Sequence, residues 1–280
     1  MPELPEVETV RRGLTPVLVG NRLVRVVTYR PDLRVALPEG LAQRLTGRQV
    51  VALGRRSKYL LWHFDDGTAL IVHLGMSGRV RVFTGPPPPQ GPHDHVVFET
   101  DAGATLRFCD PRRFGLMALT ETASLDQHPL LAKLGGEPLD DTFDGAALAA
   151  RLKGRRGPIK NALMDQSVVA GLGNIYVCES LFRAGLSPRR RAGTVQGQRA
   201  RRLADAIREV LGTAIAAGGS SINDHRGPSG ELGYFQLSFA VYGREGETCP
   251  QCDCKPGHTG GIQRIVQSGR STFYCATRQR

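Results

Sequence analysis

Long apolar runs are missing from this chain. No stretch approaches the ~18 consecutive apolar residues that a membrane-spanning helix needs, although the apolar fraction of 40% is ordinary for a globular protein. A secretory leader is not expected either. Such a leader has a basic start followed by an apolar stretch, whereas this chain opens MPELPEVETV. Acidic charge is in short supply: 26 Asp and Glu stand against 37 Lys and Arg, a formal net charge of +11 with a pI near 9.8. That excess favours a polyanionic partner, nucleic acid first. There is no internal repeat, and low complexity is confined to the proline run TGPPPPQGPHD, a stiff polyproline II loop. Cysteine is scarce through most of the chain. Cys109 and Cys178 stand alone and read as buried structural thiols. The other four, Cys249, Cys252, Cys254 and Cys275, fall within the last 32 residues. Without a leader, such clustering suggests a metal before a disulfide, with the cytoplasm as the expected location.

At 280 residues the chain is long enough for two domains and a small third module. PEVETVRRGLTPVLVG reads as a helix. Pro5 suits its first turn, Glu6 and Glu8 its positive end, and Val7, Val10 and Leu14 form one apolar stripe; Pro16 and Gly20 bracket its end. Short β-like runs follow in RLVRVVTYR, RQVVALGRRSKYLLWHF, TALIVHL, RVRVF, HVVFET and TLRFCD. Turn residues separate them, a spacing that suggests a β-sandwich or barrel. Near residue 125 the pattern changes. HPLLAKLGGEPLDDTF reads as a connector. DGAALAARLKG, GPIKNALMDQSVVAG, NIYVCESLFRAG and TVQGQRARRLADAIREVLGTAIAAGG are helical in period. GGSSINDHRGPSGELGYFQ is a long loop of the kind that is functional or disordered. The expected organisation is an α+β chain. Residues 1–125 form a β-rich domain opened by a helix and 126–144 a linker. Residues 145–240 form a helical domain, and 241–280 a cysteine-bearing β-hairpin module.

Several stretches carry chemistry. Removal of Met1, usual before proline, leaves Pro2 with a terminal secondary amine, a possible nucleophile toward a sugar carbon or carbonyl-like centre. Glu3 beside it could relay a proton, or simply cap a helix. Lys58 ends the basic run GRRSK. It could be solvated, hold a phosphate or assist proton transfer. In GLGNIYVCESLF, Asn174 is a natural N-cap for a helix whose free N–H groups would attract a phosphate, and Lys160 lies upstream in GPIKN. RFCDPRRFG places Arg112, Arg113 and Phe114 on a turn where two cations and a ring could reach phosphates and wedge between bases, and HLGMSG offers Met76 on another loop. Cys249 and Cys252 form a zinc knuckle. IQRIVQSGRSTFYC reads as a hairpin with QSGR at its turn and Arg270 at its tip.

Taken together, MPELPEVETVRRGL, SKYLL, HLGMSGR, DPRRFG, MDQSVVAGLGNIYVCESLF and GRSTFYC resemble the bacterial formamidopyrimidine-DNA glycosylase family over essentially the whole chain. The resemblance implies a β-sandwich followed by a helix-two-turns-helix domain and a zinc finger, acting as a monomer on duplex DNA held between the two domains. It implies that Pro2 attacks C1′ of a flipped, oxidised purine nucleotide such as 8-oxoguanine. A Schiff base forms, and β- and δ-elimination then nick the strand. By the same resemblance Glu3 is the proton donor, Lys58 the β-elimination residue and Arg270 the δ-elimination residue. His93, Arg112, Arg155, Lys160 and Asn174 contact DNA, and Met76, Arg112 and Phe114 fill the void left by the flipped base. The implied setting is the bacterial cytoplasm, on the nucleoid. The finger departs from the pattern. Arg278 stands where the family has its last cysteine, and 22 residues separate Cys252 from Cys275, more than usual. Counting back the usual interval from Cys275 reaches His258. A single structural zinc would take four ligands from Cys249, Cys252, Cys254, His258 and Cys275, with a metal-free finger as the alternative. Two other readings are weighed beside this one: an endonuclease VIII-like glycosylase for oxidised pyrimidines, and a non-catalytic damage-binding protein.

Overall fold

The computed structural model describes residues 1–220, 228, 233–257 and 260–280. The chain divides into two compact units. The first comprises Met1–Ala132 and Ala217–Tyr234, the second Lys133–Ala216 and Phe235–Arg280. Among the described residues no helix is long and apolar enough to cross a membrane.

The first unit opens with helix α1 (Leu4–Leu18). Pro5 sits in its first turn as expected, but Pro16 lies inside the helix rather than beyond its end. Strands β1 (Leu23–Thr28), β2 (Val50–Arg56), β3 (Tyr59–Phe64), β4 (Thr68–His73), β5 (Arg79–Phe83), β6 (Asp94–Thr100), β7 (Thr105–Cys109) and β8 (Leu116–Glu121) follow, with a one-turn helix α2 (Leu41–Leu45) between the first two. They form two four-stranded antiparallel sheets, ordered β1-β6-β7-β5 and β2-β3-β4-β8. The sandwich core follows the period-two rule: Leu60, Trp62 and Phe64, Leu70 and Val72, Val96 and Phe98, Leu106 and Phe108 all point inward. Val7, Val10, Leu14 and Leu18 of α1 close the same core. Each such side chain contributes about 1.5–3 kcal/mol by leaving water. The run RQVVALGRRSKYLLWHF forms two strands folded back at Ser57–Lys58, so that Lys58 stands where a turn becomes a strand.

The second unit holds α3 (Gly145–Leu152), α4 (Ile159–Met164), α5 (Asn174–Arg183), α6 (Gln198–Ala216) and the hairpin β9 (Ile262–Gln267) with β10 (Arg270–Cys275). In GPIKNALMDQSVVAG only the first half is helical. Asp165 ends α4 by accepting from Ser167 N and Oγ, at 2.9 and 2.6 Å. Gly145 lets α3 meet α6 closely, since a Cβ there would lie 2.5 Å from the Arg201 Cα. The QSGR turn has Ser268 and Gly269 both at positive φ, the type I′ pattern that matches strand twist. A small core of Cys178, Phe182, Val241 and Ile262 joins α5 to the hairpin module. Glu179 on α5 secures that junction by accepting the N–H groups of Ala240, Val241 and Tyr242 at 2.8–3.0 Å.

Candidate active site and phosphate-binding surface

The N-terminus is folded into the first unit. Pro2 and Glu3 are buried, and Glu3 is the N-cap of α1. A capping box fixes it. The Glu3 side chain accepts from the Glu6 N–H, and Glu6 Oε2 accepts from the Glu3 N–H at 2.9 Å. The other Glu6 oxygen accepts from Ser220 N and Oγ, at 2.8 and 3.1 Å. Glu6 suits the helix's positive end and sits beside the terminal amine in sequence. The E-x-x-E spacing was the signal for its reciprocal cap, whereas the bond to Ser220 spans 214 residues and leaves no local trace.

Lys58 is also buried, at 5% exposure, which excludes the solvated reading. It lies in the two-residue turn between β2 and β3, where Ser57 adopts φ +55°. The terminal amine, carried here by Met1, is held below its ordinary pKa. Burial is the largest cause, and Lys58 and Arg112 push the same way against the raising effect of Glu3 and Glu6. With Met1 removed, the Pro2 nitrogen becomes the terminal amine, next in the chain to Glu3. One electrostatic neighbourhood thus gathers the terminal amine, a carboxylate and a lysine. Such a set can hold an amine neutral enough to attack carbon and can move protons beside it. His73, one strand away, is a neighbour the sequence reading passed over. Burial, then Lys58 and Arg34, press its pKa down to about 4, so the neutral ring accepts the Gly75 N–H at 3.0 Å.

Met76, Arg112 and Phe114 are brought together on two adjoining loops. Gly75, at φ +64°, packs so tightly that a Cβ would come within 2.3 Å of the Phe114 carbonyl carbon. Fully buried Asp110 ties the loops: its Oδ1 accepts from Ser77 Oγ at 2.5 Å and its Oδ2 from Gly115 N at 2.7 Å. The Arg112 N–H donates to Ser77 Oγ at 3.1 Å, and the Arg112 guanidinium lies 4.8 Å from the Phe114 ring centroid. Met76 and Phe114 remain 40% and 42% exposed on this rigid base, an arrangement suited to insertion between bases. Arg113 is exposed at φ +56° and pairs with Asp32 at 3.8 Å. His93 is exposed on the neighbouring loop, its ring 6.4 Å from that of His95.

In the second unit Lys160 is almost fully buried, with its pKa lowered by burial first and by Arg270 in addition. Asn174 is not the N-cap. That position is Gly173, and Asn174 is the first helical residue. Its side chain instead reaches the hairpin, donating to Ser271 O at 2.8 Å and to the Tyr242 hydroxyl at 3.4 Å. The α5 N-terminus, Lys160 and Arg270 thus meet in one cationic corner. Arg155 lies nearby in sequence, donating to Asp165 at 3.1 Å. Arg270 belongs to this unit, and Pro2, Glu3 and Lys58 to the other.

The thiols of Cys249, Cys252, Cys254 and Cys275 lie within 4.8 Å of one another. The Cys252–Cys254, Cys254–Cys275 and Cys252–Cys275 separations are 3.0, 3.5 and 3.6 Å. Sulfurs bound at ~2.3 Å around a tetrahedral zinc stand about 3.8 Å apart, so the cluster fits that ion with modest expansion. Gly261 N–H donates to Cys254 Sγ at 3.2 Å, an outer contact of the kind that orients a thiolate ligand. His258 lies outside the described residues. Arg278 turns away to cover the Phe182 ring at 5.1 Å.

The formamidopyrimidine-DNA glycosylase N-terminal domain model matches residues 1–117, and the formamidopyrimidine-DNA glycosylase H2TH domain model matches residues 134–226. The chain is 62% identical over 282 residues to a formamidopyrimidine-DNA glycosylase of Rhodospirillum rubrum, and 62% identical over 290 residues to one of Rhodospirillum centenum, with full coverage of both chains in each case. It is similar to the crystal structure of the MutM (Fpg) protein from Thermus thermophilus, with 41% identity, a TM-score of 0.85 and coverage of 99% and 98% of the two chains. It is also similar to Lactococcus lactis Fpg in complex with DNA containing an abasic site, with 35% identity, a TM-score of 0.88 and 99% of each chain covered.

Proposed function

The chain belongs to the formamidopyrimidine-DNA glycosylase family, and from that premise we propose that it excises oxidised purines from duplex DNA through its N-terminal amine and then nicks the strand. The observation that carries this reading is the burial of Glu3 and Lys58 around a terminal amine whose pKa is held down. In the proposed reaction the Pro2 nitrogen bonds to C1′ of the flipped nucleotide while the bond from C1′ to the base breaks; the base leaves with that electron pair and takes up a proton as the Pro2 nitrogen loses its own. Glu3 supplies a proton as the sugar ring opens, and the resulting iminium is the Schiff base. Loss of a C2′ proton, assisted by Lys58, expels the 3′ phosphate. A second elimination, assigned to Arg270, expels the 5′ phosphate.

Met76, Arg112 and Phe114 offset part of the cost of base extrusion, a few kcal/mol, by filling the gap. Lys160 and the α5 N-terminus hold the backbone. DNA partners of the L. lactis relative, which carry an abasic site, fit the same role. The reading is tested by offering duplexes with 8-oxoguanine opposite cytosine and with thymine glycol opposite adenine. We expect release of 8-oxoguanine with strand ends bearing phosphate on both sides. Preferential release of thymine glycol would assign the pyrimidine-acting relative instead.

The four clustered cysteines are proposed to hold one structural zinc, with Cys254 in the role for which Arg278 is unsuited. The metal supplies cross-linking energy to the hairpin module and no reaction chemistry. Elemental analysis of the purified protein should give one zinc per chain. Cys254→Ser should lose it and melt about 5 °C or more lower, because the module's own apolar core is small. A zinc-loaded Cys254→Ser protein would return the fourth position to another residue.

A further inference from the structure

Part of the excess positive charge is not accounted for by the residues assigned above. Between Glu179 and Asp205 the chain has no acid, yet it carries Arg189, Arg190, Arg191, Arg199, Arg201 and Arg202. The structure shows where the first three stand. The segment 188–193 runs beside 155–160. Ile159 N–H donates to Arg190 O at 2.7 Å, Lys160 N–H to Pro188 O at 3.4 Å, Ala192 N–H to Gly157 O at 2.8 Å and Gly193 N–H to Arg155 O at 2.9 Å. The hairpin seals the other side, where Gln267 Nε2 donates to Pro188 O at 3.2 Å and the Arg189 guanidinium lies 5.7 Å from the Tyr274 ring centroid. The run is therefore pinned, backbone to backbone, against the corner that holds Lys160 and Arg270.

Within the run, Arg190 Nε donates to Arg280 O at 3.2 Å, while the other cations keep their charge toward solvent. Arg156, Arg189 and Arg191 are exposed. Among the described residues no carboxylate pairs with any of them, whereas Arg183, Arg244 and Arg264 elsewhere in this unit each meet a glutamate. Holding unpaired guanidiniums side by side on a fixed ribbon costs repulsion that a phosphate row would relieve.

We infer that Arg156, Arg189 and Arg191 form a second phosphate track, continuous with the Lys160 corner, that grips duplex backbone beyond the nucleotides flanking the lesion. The inference rests on the DNA-binding reading of that corner and extends it to a run of backbone which that reading leaves without protein contacts. A duplex is the fitting partner because the cations are spaced along a rigid ribbon with no exposed aromatic between them. Single-stranded nucleic acid is held chiefly by base stacking on such rings.

The test is a salt titration of binding by fluorescence anisotropy, using a 24-base-pair duplex with an abasic-site analogue. Arg189→Gln/Arg191→Gln is compared with the unaltered protein and with Arg44→Gln/Lys133→Gln, which removes the same charge from exposed positions outside the strip. Each phosphate contact contributes roughly −0.9 to the slope of log K against log salt. The strip variant is expected to flatten the slope by about 1.8, while the control pair keeps the original slope and all three melt alike. Equal slopes for strip variant and unaltered protein overturn the inference, as does an equal flattening in the control pair. A slope change on single-stranded RNA but not on the duplex overturns the choice of partner. If the unaltered protein fails to bind the duplex at all, the function proposed above falls, not the strip alone.

Discussion

Inserting one lysine between Met1 and Pro2 is expected to lower base excision by about 10³-fold or more while leaving duplex binding within about three-fold. A large second residue prevents removal of Met1. The proline nitrogen then stays an amide, whose lone pair is delocalised and cannot form an iminium. The loss is large because it removes the bond-forming atom itself rather than a group that assists it. Binding is expected to be spared because the proposed phosphate contacts and the proposed Met76–Phe114 wedge lie on other elements. Single-turnover release of 8-oxoguanine, measured beside anisotropy on the same duplex, separates the two quantities. Unchanged excision by the extended chain would mean that the nucleophile is elsewhere.

Glu3→Gln should produce the second largest effect, and a split one. The amide oxygen of glutamine can still accept the Glu6 N–H, so the capping box that orients the N-terminus is retained. What is lost is an ionisable proton. Removal of a positioned general acid costs typically 10²–10⁴-fold, and that loss should fall on base excision. An abasic site is a hemiacetal that opens to its aldehyde without the enzyme, so nicking of a duplex that already contains one does not depend on Glu3 for ring opening and should keep at least about a tenth of its rate. Melting should shift by less than about 1 kcal/mol, since the cap survives. A variant equally impaired on both substrates would assign Glu3 to building the site rather than to protonating the substrate.

Much of this arrangement was legible in the sequence because local chemistry set it. Pro5 and Glu6 announce α1. Alternation in YLLWHF and TALIVH gives the inward faces of β3 and β4, and Ser268–Gly269 gives the hairpin turn that presents Arg270. The misses share a physical cause, since each is decided by partners distant in sequence. Strand β8, in LMALTE, lacks clean alternation and exists because β4 pairs with it. Pro16 falls within α1 because, near the helix end, little is lost when its missing N–H leaves one carbonyl unbonded. Asn174 reads as a cap by type, but Ser271 and Tyr242, brought in by the hairpin, draw its side chain away. The cysteine register could not be resolved by counting, because the loop after Cys254 has no fixed length to count against; folding places Cys254 beside Cys275. The proposed wedge is visible as residues but not as a device. Asp110, which clamps the Met76 and Phe114 loops together, reads in sequence only as half of an Asp-Pro turn.

The central claim is that the terminal nitrogen becomes covalently attached to the damaged nucleotide. The most direct measurement is to mix the protein with a duplex carrying 8-oxoguanine opposite cytosine, add borohydride, and map the cross-linked peptide by mass spectrometry. Borohydride reduces an iminium to a stable amine, so the intermediate is captured where it formed. The account predicts a one-to-one adduct whose DNA-bearing peptide begins at Pro2. An adduct mapped to Lys58 or another lysine, or no adduct from a preparation that binds and cleaves the duplex, would contradict it.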